Sequence, residues 1–254
     1  MVAPVMRASI DVCGCFPTGK HYPGIADRMA RLMTRVRGMA EGFEPSTMWL
    51  SASLAVLDFE TTGLDPEIDR VIEVGVACFR GGELESTRNW MVNPGIPIGE
   101  ESKAITGITD EMVADAPGFG GVWEEVRTFL EGRIPVAYNH AFDSRFLWAE
   151  CRRIGVPPRG SELPPACCDD GVWIDPLVWA REIQKEDKGH KLGDVCARLG
   201  VSLETAHRAS HDAEAAGRVL LALAAKMPER YGDLLRVQQR YAATQDVEIT
   251  WRRR

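Results

Sequence analysis

Two acids stand two residues apart where an apolar run ends, in Leu54-Ala55-Val56-Leu57-Asp58-Phe59-Glu60-Thr61. On a strand, residues two apart share a face, so Asp58 and Glu60 continue the row begun by Leu54 and Val56. Charge at the end of a core face is costly unless something positive compensates it. A divalent metal would compensate the pair and give it a chemical task. That reading predicts further acidic ligands elsewhere in the chain.

Two later clusters supply them. Asn139-His140-Ala141-Phe142-Asp143 follows the short apolar stretch Ile134–Tyr138 and opens a helix. A helix dipole favours any acid in its first turn, so Asp143 could be a simple capping residue. Its place at the carboxyl end of a strand, where α/β sheets build their sites, raises its standing. The other cluster is His207-Arg208-Ala209-Ser210-His211-Asp212. Asp212 heads a stripe with Ala215, Ala216, Val219, Leu220 and Leu223, which puts it on the buried face of a helix. An acid there needs a partner; a buried arginine could serve, and a metal suits the other acids better. His211 falls about 100° around the helix and is expected at the surface. His207 lies in the loop before the helix, close enough in sequence to Asp212 to swing over a substrate.

The elements that must position these residues can be read from periodicity. Leu54–Phe59 is apolar on both faces, as a central strand covered on both sides would be. Val71–Phe79 and Leu84–Val92, separated by Gly81-Gly82, complete a three-strand antiparallel meander. Thr109 is a candidate N-cap for a short helix. Helices are predicted over about Val122–Leu130, Phe142–Ile154, Leu192–Leu199 with Gly200 as its C-cap, and Ser210–Ala225. Short strands are predicted at Ile134–Tyr138 and near Trp173–Ile174, and a further helix at about Leu234–Tyr241. This order gives an α/β fold with a mixed sheet.

Composition sets the outer limits. The chain has 254 residues, 45% apolar and 26% charged, enough for a proper core without staples. No apolar run approaches the ~20 residues of a membrane span, and the N-terminus lacks a secretory h-region, so a cytoplasmic protein without membrane contact is expected. Seven scattered cysteines argue for reduced thiols. Cys13, Cys15, Cys167 and Cys168 could together hold zinc, although their spacing is not a strong zinc pattern. The net charge of −7 does not resemble that of a protein that coats DNA, and it does not exclude a nucleic-acid enzyme whose carboxylates are neutralised by metal. Residues 1–50 carry a net +2, with a weak helical pattern over Ile25–Met39. They read as an extension of unassigned role, a docked helix or a mobile basic arm.

Val-Leu-Asp58-Phe-Glu60-Thr-Thr-Gly-Leu-Asp-Pro, Tyr-Asn-His-Ala-Phe-Asp143-Ser-Arg-Phe-Leu and His207-Arg-Ala-Ser-His-Asp212-Ala together resemble the three motifs of the DnaQ-like (DEDDh) 3′–5′ exonucleases. That family includes the proofreading epsilon subunit of bacterial DNA polymerase III. Ile105-Thr-Gly-Ile-Thr-Asp-Glu-Met112 and Lys191-Leu-Gly-Asp-Val-Cys-Ala-Arg-Leu-Gly200 are also similar to family segments. The likeness covers about residues 52–225. It departs at Asn139-His140, where His-Asn is frequent, and at Thr106, where histidine is common.

The resemblance implies an RNase H-like fold, a mixed central sheet of a three-strand meander plus parallel strands flanked by helices. It divides the chain into an extension at 1–50, an exonuclease domain at 51–228 and a tail at 229–254. It implies that Asp58, Glu60, Asp143 and Asp212 hold two divalent ions, and oxygen-only ligands suit Mg²⁺ or Mn²⁺. It makes His207 the general base, a task for which an imidazole pKa near ~6.5 is suited. It implies that Thr61, Thr62, Leu64, Asn139 and Phe142 line the pocket for the terminal nucleotide. The substrate is then a single-stranded or frayed DNA 3′ end, released as nucleoside monophosphates in proofreading or repair, and a DNA polymerase subunit is a candidate partner. An exoribonuclease trimming RNA 3′ ends is the alternative within the fold. A non-catalytic nucleic-acid-binding or scaffold protein is the alternative of another class, and the complete set of acids counts against it.

Overall fold

A computed structural model describes residues 36–158, 160, 163–203 and 208–252. The expected helix over Ile25–Met39 lies largely outside these residues, as do Cys13, Cys15 and His207. Strand β1 (Ser53–Thr61) pairs antiparallel with β2 (Val71–Arg80), which turns at Gly81-Gly82 into β3 (Glu83–Met91). Strand β4 (Ile134–Val136) lies parallel to β1 on its other side, giving a sheet of order β3-β2-β1-β4. The second expected parallel strand is only a bridge between Val136 and Ile174.

The two faces of β1 are both covered, as its continuous apolar sequence requires. Leu54 and Val56, with Ala77 and Phe79 of β2, pack against helix α7 (Ala209–Leu223). Ala55, Leu57 and Phe59 face the other way, toward α3 (Phe119–Leu130) and α4 (His140–Arg153). Two short helices follow, α1 (Glu100–Thr106), whose Ser102 hydroxyl reaches the Thr61 carbonyl at the end of β1, and α2 (Asp110–Val113), whose Val113 packs with Ile72 of β2. Thr109 holds the N-cap position of α2 without a capping hydrogen bond from its side chain. Its place is the one expected, and the cap is positional, the α2 backbone taking no hydrogen bond from the hydroxyl. Helices α5 (Pro176–Ile183) and α6 (Leu192–Leu199) follow, and α6 ends at Gly200 in the left-handed conformation, φ 67°.

The last helix, α8 (Tyr231–Arg252), is longer than the segment predicted for it. Its Tyr231, Leu234 and Leu235 enter the same core as Leu54, Val56, Trp49 and Met39. The Trp49 indole donates to the Pro228 carbonyl at 2.8 Å, and the Tyr231 N–H donates to Thr47 at 2.8 Å. Residues flanking the central segment on both sides therefore share its core. No helix of the described residues is long and apolar enough to cross a membrane.

Candidate active site

The site forms where β1 ends and α7 begins, and register explains why. Asp58 lies opposite Gly75 of β2, and Glu60 lies opposite Glu73, on the sheet face that α7 covers. A Cβ on Gly75 would stand 2.0 Å from the Ala209 carbonyl carbon. The missing side chain is what lets α7 begin directly against the sheet. Glu73, fully buried, fastens that start: it accepts from the Ala209 N–H at 3.1 Å, pairs with Arg208 at 2.8 Å and accepts from the Asn89 amide at 2.7 Å. Asp212 stands one turn further along α7. Carboxylate oxygens of Asp58, Glu60 and Asp212 consequently lie within 4.8 Å of one another.

Asp143 reaches the same strand end from the opposite face. It is buried in the first turn of α4 and accepts the Phe59 N–H at 3.1 Å, between the two acids of β1. Asp175 holds the start of this helix. Its carboxylate accepts the N–H groups of Asn139 at 3.0 Å and His140 at 3.1 Å, and that of Leu177 at 2.9 Å. Asn139 adopts φ 66°, a left-handed conformation that asparagine tolerates better than most residues. Gln238 of α8 completes the arrangement. It accepts from the Asp175 N–H at 2.9 Å and the Trp179 indole at 3.1 Å, and donates to the Trp173 carbonyl at 2.9 Å.

Electrostatics follow from this crowding. Burial, then the charges of Asp143, Asp212, Glu60 and Glu73, hold the Asp58 carboxyl well above the usual carboxylate range. Burial, then Asp212 and Glu73, push Glu60 up to about 7. Burial raises Asp143 against the opposing pull of the Phe59 N–H. A set of oxygen donors that resists ionisation by itself is a set that a divalent cation would stabilise. The donor chemistry and the three oxygens within 4.8 Å therefore fit a hard divalent ion.

The predicted pocket residues are distributed unevenly. The Thr61 hydroxyl donates to the Gly63 carbonyl at 2.6 Å, and the Thr62 hydroxyl donates to Asp69 at 3.0 Å, so both are committed to their own turn. Leu64 is 80% exposed on that turn. Phe142 is half-buried against Phe146, ring centroids 4.8 Å apart. The Ser102 hydroxyl of α1 donates to the Thr61 carbonyl at 2.7 Å, fixing the rim from the other side. Of the cysteines once considered for zinc, Cys167 is buried and Cys168 half-buried, and neither joins a metal-binding cluster among the described residues.

Glu73, Asp175 and Gln238 carry the site's support and were not singled out in the sequence. Asp175-Pro176 does carry a local signal, an N-cap followed by proline at the first helical position. Glu73 offers none: it sits in a β-branched strand as any outward acid would.

A family model described as Exonuclease matches residues 55–220. DNA polymerase III of the PolC type from Streptococcus pneumoniae serotype 2 is 34% identical over 188 residues, 73% of this chain. The Thermotoga maritima PolC-type enzyme is 33% identical over 192 residues, 76% of this chain. The chain spans only 12% and 13% of those relatives' own lengths. Among solved structures, exonuclease X in complex with 5′-overhanging duplex DNA superposes with TM-score 0.55 at 24% identity, covering 73% of this chain and 99% of that one. The nuclease domain of 3′hExo, described as a DEDDh family member bound to rAMP, gives 0.57 at 22% identity, over 71% of this chain and 95% of that one. These likenesses bear out the RNase H-like mixed sheet.

Proposed function

The chain belongs to the exonuclease family, and on that premise we propose that it hydrolyses phosphodiester bonds at DNA 3′ ends, releasing nucleoside monophosphates in the 3′–5′ direction. The observation that carries the reading is the meeting of Asp58 and Glu60 with the distant Asp212 inside 4.8 Å. DNA is favoured over RNA because both of these relatives are named DNA polymerases. The same name supports a DNA polymerase subunit as the partner class.

In this reading Asp58, Glu60, Asp143 and Asp212 hold two Mg²⁺ or Mn²⁺ ions. Such ions, when bound, neutralise the acids, activate water and stabilise the leaving 3′-oxygen. Like charges 4 Å apart cost about 4 kcal/mol at an effective dielectric of 20, so without that neutralisation the acids would repel a phosphodiester. His207 takes the proton of the attacking water. Leu64 offers an exposed apolar side chain beside the terminal base, and Phe142 an aromatic face for stacking. Thr61 and Thr62 act through the turn that their hydroxyls brace, and Asn139 through the backbone bend that presents α4. The catalytic unit is residues 51–228, and the C-terminal helix supports it.

Asp58→Ala, and separately removal of divalent metal by chelation, are each expected to abolish mononucleotide release from a single-stranded DNA. Full activity surviving both would refute the proposal.

A further inference from the structure

A groove of about 510 Å³ begins at Asn139 and runs between α5 and the loop before α6. Its walls include Tyr138, Leu177, Arg181, His190 and Lys191. Asn139 opens the helix that carries Asp143 four residues later, so the groove starts about 6 Å along the helix axis from that acid. The loop wall is fixed. The Tyr138 hydroxyl donates to the His190 carbonyl at 2.5 Å, and the His190 ring contacts the Gln184 carbonyl at 3.2 Å.

Arg181, His190 and Lys191 line this wall, and none of the described lining residues is acidic. Nearby Arg198 is fully engaged, with Gln184, the Lys188 carbonyl and Asp187. Arg181 and Lys191, by contrast, form no ion pair among the described residues. Two cations without an ion pair among the described residues therefore line a groove that begins at Asn139, the residue before the helix that carries Asp143.

We propose that this groove, through Arg181 and Lys191, holds the phosphodiester backbone of the strand on the 5′ side of the bond to be cut. The ligand rests on the nuclease reading above. A positive groove that tracks a single strand binds it through phosphates and without regard to sequence. The half-exposed guanidinium of Arg181 suits bidentate phosphate contact, and the exposed Lys191 acts as a point charge. The arrangement lets a chain of net charge −7 take a polyanion at a wall where Arg181 and Lys191 stand together and no described lining residue is acidic.

The test measures affinity, so it does not depend on cleavage. Fluorescein-labelled dodecathymidylate is titrated with the full chain in an Asp58→Asn background with Mg²⁺, from about 50 to about 200 mM salt, by anisotropy. Arg181→Ala with Lys191→Ala is expected to weaken binding ~10-fold and to reduce the slope of log affinity against log salt by ~1.4, two single-strand phosphate contacts at ~0.7 each. Arg181→Lys with Lys191→Arg, which keeps both charges, is expected to restore the slope. An unchanged slope in the alanine pair, or a slope lost equally in the charge-conserving pair, would overturn the groove. Binding with this behaviour, together with no nucleotide released by the chain that keeps Asp58 in Mg²⁺, would defeat the nuclease reading and leave the groove standing.

Discussion

Asp58, Glu60 and Asp212 repel one another when no cation is bound, and that repulsion gives a prediction about stability as well as activity. Glu60 titrates near 7 in the fold against about 4.5 in an open chain. Between those values the folded, metal-free protein holds a proton that the unfolded chain releases, so its stability falls as pH rises through the window. The melting temperature of chelated protein should therefore drop between about pH 5 and about pH 8, and saturating Mn²⁺ should flatten the drop. Asp58→Asn should raise the metal-free melting temperature by ~2–4 °C, about 1 kcal/mol for a chain of this size, while removing activity. A metal-free protein that grows more stable with rising pH would contradict the electrostatics. His207→Ala should lower turnover ~10²-fold or more with DNA affinity retained, measured by single-turnover kinetics and anisotropy. The acids were legible because each breaks a pattern: two interrupt a core strand, one heads an apolar stripe. Glu73 and Asp175 break none, since a lone acid in a strand and an aspartate before proline are ordinary features. Only the fold reveals that their oxygens receive the backbone of the site's two helices.

Helix α7 delivers Asp212 because nothing stands between it and β2. Gly75→Ala would drive a methyl into the Ala209 backbone, where no flexible side chain can yield. The expected outcome is ~1–3 kcal/mol of lost stability in denaturant melts and a loss of activity near 10²-fold, as a ~1 Å displacement of a catalytic group produces. Helix α8 acts at longer range. Gln238→Leu would strand the Asp175 N–H, the Trp179 indole and the Trp173 carbonyl, at a cost of about 3 kcal/mol or more. It should also weaken Mn²⁺ binding, because Asp175 sets the start of the helix that carries Asp143. Unaltered Mn²⁺ affinity in a destabilised but folded Gln238→Leu protein would reduce α8 to a packing role. The main strands and long helices were readable from period alone. Helix α1 was not, because Glu100–Thr106 buries only Ser102 and Thr106 and shows no apolar stripe. Helix α5, at eight residues, is too short for a 3.6-residue period to separate from a buried strand or loop.

At the scale of the whole molecule, the sheet gathers its chemistry at one end. β1 brings two acids, α7 brings a third over one face, α4 a fourth over the other, and the groove beside Asn139 supplies the positive path toward them. The matched exonuclease segment ends at residue 220, yet the core continues through α8 and back to Met39 and Trp49. That continuity was invisible in the sequence, where both flanks looked like attachments because neither carries a motif. In the proposed reading, this single assembly removes nucleotides from 3′ ends by a metal-dependent reaction. The most direct measurement is a digestion of single-stranded DNA labelled at its 5′ end in one sample and its 3′ end in another, with matched RNA alongside, in Mg²⁺, Mn²⁺ and chelator. The protein is expected to give a shortening ladder from the 5′-labelled DNA, immediate release of labelled mononucleotide from the 3′-labelled DNA, slower loss of RNA, and no products in chelator. A ladder that shortens from the 5′ end, or products that persist without metal, would contradict that reading.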